Sequence, residues 1–417
     1  MTFQRALWLA CLAGCTGDKP TPAWVEESGD PPAVLDVDVA FAPYWQWVAP
    51  GTARFRLDTR NMVDLTLELT RDSGVTEVPL TVSTEDLTHY WPSEELIDGF
   101  PHNDYPGPHH LHELVLDHID PGEVVGWRLD LGNDVLEGTL TAPPEPGGHF
   151  RALFVGDTMY PYSDDVFRRA GPEDVELMLH GGDMQYQSNP SDTWVGLSWA
   201  VSPVTTMAAM HAAPGNHEHE EHDEFSQMYM RLLDGQGMAV PGQAYWHWDH
   251  GGVRFLAIDS ETEVQEHKLT VEDSEQVAWI ADQLADAAAN PHIHTVVPFF
   301  HRPIYTLAKH EPQLEMRAVL HPLFVEHGVS LVLQAHNHSY ERMVVDGVTY
   351  VTDGGGGALL YDVNDSVEDY PEEEALRAAA SQTFGFTVLD FGATGVDLRR
   401  LDVDGNEVDR ATIGWGG

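Results

Sequence analysis

The chain has 417 residues, of which 42% are hydrophobic. A single hydrophobic core stops growing at roughly 250–300 residues, so two folded domains are expected. The formal net charge is -47 at pH 7, which repels nucleic acid and anionic membrane surfaces and disfavours both as partners.

The N-terminus resembles a bacterial lipoprotein signal. The apolar run Ala6–Leu12 is too short to span a bilayer and leads into Leu12-Ala13-Gly14-Cys15. Cys11 and Cys15 are the two cysteines, so the body of the chain has no disulfide framework. We therefore expect residues 1–15 to form a signal that ends at a lipid-carrying Cys15. The protein would then be secreted and lipid-anchored in the bacterial cell envelope, at the outer membrane or cell surface, with membrane contact only through that lipid. The alternative is an apolar N-terminus with a chance cysteine.

Residues 16–33 are rich in Pro, Glu and Gly and predict a tether. From residue 34 to residue 143 the chain alternates apolar and polar residues between turn residues, which is typical of an antiparallel β-sandwich. The strand-like segments are Arg54–Leu57, Leu65–Thr70, Glu113–Leu116, Val124–Leu131 and Gly138–Ala142. Pro143–Gly148 then predicts a linker.

Residues 149–413 alternate apolar runs with helical patterns and predict an α/β domain. The clearest helix is Ser274–Ala289, with Ser274 as its N-cap. Pro312–His327 predicts a second helix that Pro322 kinks or splits. Ser191–His211 is mostly helical by pattern, with Pro203 inside it.

Side chains that are able to bind metal follow five apolar runs of this region. Ligand sites form where the carboxyl ends of strands meet at one edge of an α/β sheet, so these distant residues can converge. They are Asp157; Asp183 with Tyr186 three residues later; Asn216-His217-Glu218; His301; and His336-Asn337-His338.

The residue types in these five positions suit a two-metal centre. Carboxylates, imidazoles and an amide oxygen bind borderline to hard metal ions, and a phenolate from Tyr186 favours Fe(III). Phosphatases and nucleases hold two ions roughly 3.5–4 Å apart, and a carboxylate is able to bridge them. Because the chain has 23 histidines, a single His-x-His pair carries little weight. The ordered set of five positions is what makes coincidence improbable.

These motifs resemble the successive motifs of the purple acid phosphatases, which are calcineurin-like metallophosphoesterases. The matching segments are Gly156-Asp157, Gly182-Asp183-x-x-Tyr186, Gly215-Asn216-His217-Glu218, Phe300-His301-Arg302-Pro303 and His336-x-His338-x-Tyr340-Glu341-Arg342. The resemblance covers residue 149 to the C-terminus, where Gly385–Phe391 and Val396–Asp402 match the family's final strands. Less specifically, the preceding region is similar to the family's fibronectin-type domain. The resemblance implies an N-terminal all-β sandwich followed by a four-layer α/β domain with two mixed sheets flanked by helices.

The resemblance also implies two metal ions and a role for each candidate residue. The ligands would be Asp157, Tyr186 and His338 on a first ion, Fe(III); Asp183 as the bridge; and Asn216, His301 and His336 on a second ion, Fe, Zn or Mn. A hydroxide held by the metals would attack phosphorus in line, with Asp183 and His217 as the catalytic residues. His217 would stabilise the transition state and protonate the leaving oxygen, and Asn216, His217 and His310 would bind substrate. Glu218 either orients a neighbouring group or is a surface glutamate.

Two positions depart from the family pattern. Met159 and Ala335 stand where the family usually has glycine, and alanine fits only where φ is negative. Neither change removes a ligand, but Met159 is expected to reshape the mouth of the site.

Five further segments are interpreted as structural rather than catalytic. Asp259 ends an apolar run and is expected to be structural. Gly354–Gly357 lacks the Lys of a P-loop and predicts a tight loop near the site. The remaining three are the histidines of His109–His112, expected to be a surface or strand cluster, the aromatics of Tyr44–Trp47, expected in the core or an interface, and Asp362–Glu374, expected to be an exposed loop.

The favoured function is hydrolysis of phosphate monoesters in small phosphorylated substrates. The same centre also serves phosphodiesters or nucleotides, so a phosphodiesterase or nucleotidase is the first alternative. A second is a non-catalytic phosphate-binding or adhesive surface lipoprotein, which the complete ligand set disfavours. A sandwich-led carbohydrate-binding module is a third. The sequence does not indicate an oligomeric state.

Overall fold

The computed structural model describes residues 37–86, 107–132, 134–184, 186, 194–219, 229–233, 244–261 and 268–416. The lipoprotein signal at 1–15 and the tether at 16–33 lie outside these residues and stay predictions. None of the helices in the described part of the chain combines the length and apolar character needed to cross a bilayer.

Strands dominate the described residues, and the helices among them all follow residue 162. The strands are β1 (Val39–Ala49), β2 (Thr52–Thr59), β3 (Thr66–Arg71), β4 (Gly74–Pro79), β5 (Thr81–Asp86), β6 (Pro108–Leu116), β7 (Val124–Asp130), β8 (Val135–Thr141), β9 (Phe150–Val155), β10 (Leu177–His180), β11 (Ala209–Ala212), β12 (Trp246–His250), β13 (Val253–Ala257), β14 (Thr295–Phe299), β15 (Leu331–Gln334), β16 (Tyr340–Val345), β17 (Val348–Asp353), β18 (Arg377–Ser381), β19 (Gly385–Gly392), β20 (Gly395–Asp402) and β21 (Glu407–Gly414). The α-helices are α1 (Ser163–Ala170), α2 (Gly196–Thr205), α3 (Asn216–His219), α4 (Glu275–Ala289) and α5 (Leu314–Glu326), and short 3-10 helices cover Gly171–Glu173 and Glu374–Leu376.

The N-terminal region is strand-rich, as predicted. β3, β4, β7 and β8 form a four-stranded sheet whose apolar face packs on β1 and β2, with the rings of Phe55 and Trp127 5.7 Å apart. β1 also pairs in parallel with β11, Trp45 standing opposite Ala209. One sheet therefore runs from the N-terminal region into the α/β region, and the domain boundaries at 143 and 149 stay predictions.

The region that follows has the predicted α/β architecture with two mixed sheets. One sheet has ten strands in the order β21-β20-β19-β9-β10-β11-β1-β2-β6-β5, and the other has seven in the order β12-β13-β14-β15-β17-β16-β18. A shared apolar core lies between the sheets, α1 and α2 pack on the outer face of the larger sheet, and α4 and α5 pack on the outer face of the smaller one. The order of layers is helix, sheet, sheet, helix.

The helix predictions are confirmed in part. Ser274 is the N-cap of α4, and its Oγ accepts the Val277 N–H at 3.2 Å. Pro322 does not split its helix, because α5 continues through it without the hydrogen bond that a proline cannot donate, and the predicted kink stays a prediction. The helical prediction up to residue 211 was also wrong. α2 ends at Thr205, and the short apolar run that follows forms β11, because a run of this length fits a buried strand as well as a helix.

Candidate metal centre

The candidate ligands stand directly after parallel strands whose carboxyl ends meet. β9, β10 and β11 are parallel neighbours in one sheet, and β14 and β15 are parallel neighbours in the other. Asp157, Asp183, Asn216, His301 and His336 each follow one of these five strands within four residues. The two sheets thus bring their strand ends to one site, as the sequence predicts.

The first group of donors surrounds the Tyr186 hydroxyl. This hydroxyl donates to Asp157 Oδ1 at 2.7 Å and to Asp183 Oδ2 at 3.0 Å. It also lies 3.0 Å from His338 Nε2, which is 3.4 Å from Asp157 Oδ1. The four predicted ligands of the first ion therefore converge on one point.

The second group of donors surrounds His301 Nε2. This nitrogen lies 3.2 Å from Asp183 Oδ2, 3.2 Å from Asn216 Oδ1 and 3.0 Å from His336 Nδ1. Asp183 Oδ2 is close to both groups, which is the placement that a bridging carboxylate needs. Within the described residues, Asp183, His301 and His336 are the one cluster of three His, Cys, Asp or Glu donors close enough to hold an ion.

Three ligands adopt left-handed backbone conformations. The φ angles are 59° at Asp157, 54° at Asp183 and 68° at His336, a region that non-glycine residues rarely occupy. Hydrogen bonds hold this geometry, among them the His336 N–H to Asp157 Oδ2 at 2.7 Å. Gly215 permits the close approach, since a Cβ there would lie 2.2 Å from Asp183 Oδ1. Strain of this kind clusters at functional sites.

The electrostatics of the site fit bound metal cations. Asp157 and Asp183 are fully buried beside a phenol, and burial together with these two carboxylates raises the pKa of Tyr186 well above its usual value. Burial lowers the pKa of His336 well below its usual value, so its imidazole is neutral and able to ligate. Buried carboxylates need compensating positive charge. Carboxylate, imidazole, amide and phenol donors suit borderline to hard metal ions.

His217 and His310 line the mouth of the site. The His217 ring lies 4.4 Å from the Tyr186 ring, its Nε2 lies 3.9 Å from Asp183 Oδ2, and a third of its side chain is exposed. The His310 ring stacks on His336 at 4.2 Å, and burial lowers its pKa to about 4. Asn337 accepts the His310 N–H at 2.8 Å and fixes that loop. Both histidine rings therefore lie against candidate ligands, His217 against Tyr186 and His310 against His336.

Glu218 is a buried support for Asp183 rather than a surface glutamate. Its Oε2 accepts the N–H of Asp183 at 2.9 Å and of Gly215 at 2.7 Å, and its Oε1 accepts the Met184 N–H at 2.9 Å. Burial, and then the charge of Asp183, raises the pKa of this carboxyl to about 7. The sequence left both interpretations open, and the structure selects the first.

The two departures from the family pattern are compatible with the site. Ala335 is not among the residues with positive φ, which meets the condition set for alanine. Its methyl group fills space that Gly156 and Gly181 leave, since a Cβ on either would lie within 2.8 Å of it. Met159 is half-buried, and its carbonyl accepts the Ser163 N–H that begins α1.

The structural interpretations of these further segments agree with the structure, with one refinement at the histidine cluster. Asp259 lies 3.4 Å from His219 Nε2 and takes no part in the metal cluster. A Cβ on Gly354 would lie 2.6 Å from Asp157 Oδ2, which places the glycine loop at the site. The aromatics of Tyr44–Trp47 are buried in the core. The cluster at His109–His112 lies on β6, but its histidines are buried rather than at the surface; His109 Nδ1 lies 2.7 Å from Asp58 Oδ2.

Sequence reasoning missed the cationic and aromatic groups around the mouth. Arg302 Nη1 lies 3.4 Å from His336 Nε2. The Tyr361 ring stacks on His338 at 4.0 Å, and Lys309 Nζ lies 4.0 Å from the centre of the Tyr361 ring. Arg302 follows a ligand directly in the chain, which is a usable signal. Tyr361 gives no such signal, because it lies 23 residues beyond His338 and reaches it only through the fold.

Comparison with known proteins agrees with the resemblance of the motifs. Residues 150–340 match the calcineurin-like phosphoesterase family. The chain contains a calcineurin-like phosphoesterase domain and is related to the purple acid phosphatases. Human acid phosphatase type 7 is 29% identical over 189 residues, which cover 40% of this chain and 41% of that protein. "Probable inactive purple acid phosphatase 9" of Arabidopsis thaliana is 24% identical over 204 residues, covering 41% of this chain and 30% of that protein.

A solved structure extends the likeness to the whole fold. Purple acid phosphatase PPD1 from yellow lupin (Lupinus luteus) seeds superposes with a TM-score of 0.70 at 19% identity, covering 89% of this chain and 74% of that one. Acid phosphatase type 7 and the Arabidopsis protein, by contrast, are matched over less than half of their own length. The fold is therefore shared, and activity is a matter for proposal.

Proposed function

We propose that this phosphoesterase hydrolyses phosphate monoesters of small molecules at a centre of two metal ions. The observation that carries the proposal is the position of Asp183 Oδ2, which lies 3.0 Å from the Tyr186 hydroxyl of one donor group and 3.2 Å from His301 Nε2 of the other. Asp157, Tyr186 and His338 would complete the coordination of one ion, and Asn216, His301 and His336 that of the other. The proposed ions are Fe(III) first and Fe, Zn or Mn second.

Two bound ions supply a water-derived nucleophile at neutral pH and neutralise charge on the phosphoryl oxygens. The chain's own residues orient and protonate the ester. His217 faces the mouth beside Asp183 and is placed to donate a proton to the leaving oxygen. His310, held by Asn337, and the Asn216 amide would orient the phosphoryl group.

A phosphodiesterase or nucleotidase with the same centre is the alternative within enzymes. A non-catalytic phosphate-binding lipoprotein is the alternative outside them, and one relative carries "probable inactive" in its own name. The complete donor set favours an enzyme, because a site released from catalysis has no need to keep every ligand.

The first prediction concerns metal content and substrate. We expect purified protein to contain about two metal ions per chain, to absorb visible light through a Tyr186–Fe(III) charge-transfer band, and to cleave monoesters faster than diesters. Metal analysis, a visible spectrum and a panel of mono- and diesters measure this. A colourless protein that contains only zinc and still cleaves esters would contradict the assignment of iron but not the proposed activity. No cleavage at any metal loading would overturn the proposed function.

The second prediction concerns His217. His217→Ala should keep both metals but lower kcat on an alkyl phosphate by about 100-fold or more, since general acid catalysis contributes this much. A substrate whose leaving group needs no proton, such as p-nitrophenyl phosphate, should lose far less. Equal losses on both substrates would contradict the proton-donor role, and His327→Ala, a change at the C-cap of α5, serves as the control.

A further inference from the structure

We propose that His219 and Asp259 are positioning residues for His217, because their pair joins a loop of one sheet to a loop of the other and sets the direction in which the proton donor faces. This inference rests on the proposed function. It adds two residues that are neither ligands nor substrate contacts.

The loop after β13 supplies a fixed carboxylate at the edge of the smaller sheet. Gln276 of α4 holds the backbone of Asp259, since its Oε1 accepts the Asp259 N–H at 2.9 Å and its Nε2 donates to the Asp259 carbonyl at 2.9 Å. The Asp259 side chain accepts the Glu261 N–H at 2.9 Å and is 7% exposed. A carboxylate this close to full burial needs a positive partner, and its fixed backbone lets it hold that partner in place.

His219, the last residue of α3, is that positive partner. Its Nε2 lies 3.4 Å from Asp259 Oδ1. Burial opposes a charge on this imidazole, but the interaction with Asp259 outweighs burial, and the charges of Glu261 and Glu218 add to it. Together they raise the pKa of His219 to about 9, so it is positively charged at neutral pH.

The single turn of α3 carries this contact to His217. At 3.6 residues per turn, side chains two positions apart lie about 200° apart around a helix, so His217 and His219 leave α3 on nearly opposite sides. The His217 ring lies 4.4 Å from the Tyr186 ring, and its backbone N–H donates to Asp183 Oδ1 at 2.8 Å. Asp259 holds the other side of the turn, so a rotation of α3 that moves His217 also separates the pair.

The same loop contacts a second segment of the site. Ser260 Oγ accepts the Arg302 N–H at 3.1 Å, and Glu261 Oε2 accepts from Arg302 Nε at 2.6 Å. Residues 259–261 therefore contact both α3, which follows a strand of the larger sheet, and the segment after β14 of the smaller sheet. Such a loop is suited to fixing the distance between the two segments, and proton transfer within hydrogen-bond reach depends on that distance.

Turnover on two substrates tests the positioning role. His219→Gln and Asp259→Asn should keep both metals and leave KM unchanged. Each should lower kcat on an alkyl phosphate by about 10-fold, since the proton donor is displaced rather than removed, and should hardly affect p-nitrophenyl phosphate. The double variant should lose no more than either single variant, because both changes break the same pair. His321→Gln is the matched control, because His321 pairs with Asp346 at 3.1 Å between α5 and the β16–β17 turn. Equal losses on the two substrates, or additive losses in the double variant, would contradict the positioning role.

A measurement without turnover separates this inference from the proposed function. In protein reconstituted with zinc, which has no unpaired electrons, NMR titration of His219 should give a pKa above the usual histidine value, and Asp259→Asn should lower it. The Cε1–H signal of His217, whose ring lies beside that of Tyr186, should shift in Asp259→Asn but not in His321→Gln. An ordinary pKa at His219, or an unmoved His217 signal, would overturn the inference. If both signals behave as expected and no ester is cleaved, the pair does orient His217 and the proposed function alone is wrong.

Discussion

Replacing Asp183 with asparagine is expected to release both metal ions together and to lower turnover by at least about 1,000-fold, since the ions contribute several kcal/mol to the transition state. Asp183 Oδ2 lies within 3.2 Å of a donor in each metal group, so this change acts on both groups directly. Asparagine has nearly the same shape but brings one neutral oxygen and an NH2 donor. It therefore removes the charge that offsets two cations while leaving the packing almost unchanged.

The measurement is metal content per chain, followed by activity after dialysis against excess metal. Asp249→Asn is a matched control, because Asp249 makes an ordinary ion pair with Arg254 on the neighbouring strand. Asn216→Ala is the informative comparison, since it should loosen one ion alone. Retention of both ions by Asp183→Asn, or loss of one with the other unchanged, would show that Asp183 is not a bridge.

Much of this site is readable from the sequence because its ligands follow strands. Asp157, Asp183 and His301 each stand after an apolar run, and the rule that strand ends meet at one sheet edge is sufficient to place them together. The cap at Ser274 is likewise a local feature, and local features are what a sequence specifies most directly.

The features that the sequence did not predict depend on contacts between residues distant in sequence, or on segments whose local pattern fits both helix and strand. The pairing of β1 with β11 joins residues 45 and 209, and no local pattern encodes it. The segment 209–212 is four residues long, too short for its periodicity to distinguish helix from strand. The Arg302–Glu261 pair spans 41 residues and becomes visible only when two loops meet.

Glu218 shows the same limit within the ligand motifs themselves. Its position beside His217 is evident from the sequence, yet its partners are backbone N–H groups on another loop. A motif names the residue, whereas the fold determines whether its carboxylate meets solvent or buried donors. This difference decides whether a mutation there is neutral or severe.

Glu218→Ala is expected to lower the free energy of unfolding by about 3 kcal/mol, because it leaves the N–H groups of Asp183, Met184 and Gly215 buried without their acceptor. Each unpaired donor costs about 1–3 kcal/mol, and release of a buried carboxylate offsets part of the sum. Asp183, at a φ of 54°, also loses the acceptor of its own N–H and that of the following Met184 N–H, so metal affinity should fall with stability.

Glu218→Gln sharpens this prediction because it keeps the volume of the side chain. Its amide oxygen replaces one carboxylate oxygen, but its NH2 faces backbone donors, so a loss of about 1–2 kcal/mol remains.

Denaturant unfolding of the metal-free protein measures stability, and metal titration measures affinity. Glu407→Ala, which removes an exposed glutamate paired with Arg410, should change neither. Since Glu218 accepts hydrogen bonds from the backbone of Asp183, the proposed bridge, its loss should weaken both ions alike rather than one of them. A selective loss of one ion would mean that Glu218 acts on a single ligand, and a stability change no larger than that of Glu407→Ala would mean that these hydrogen bonds do not support the loop.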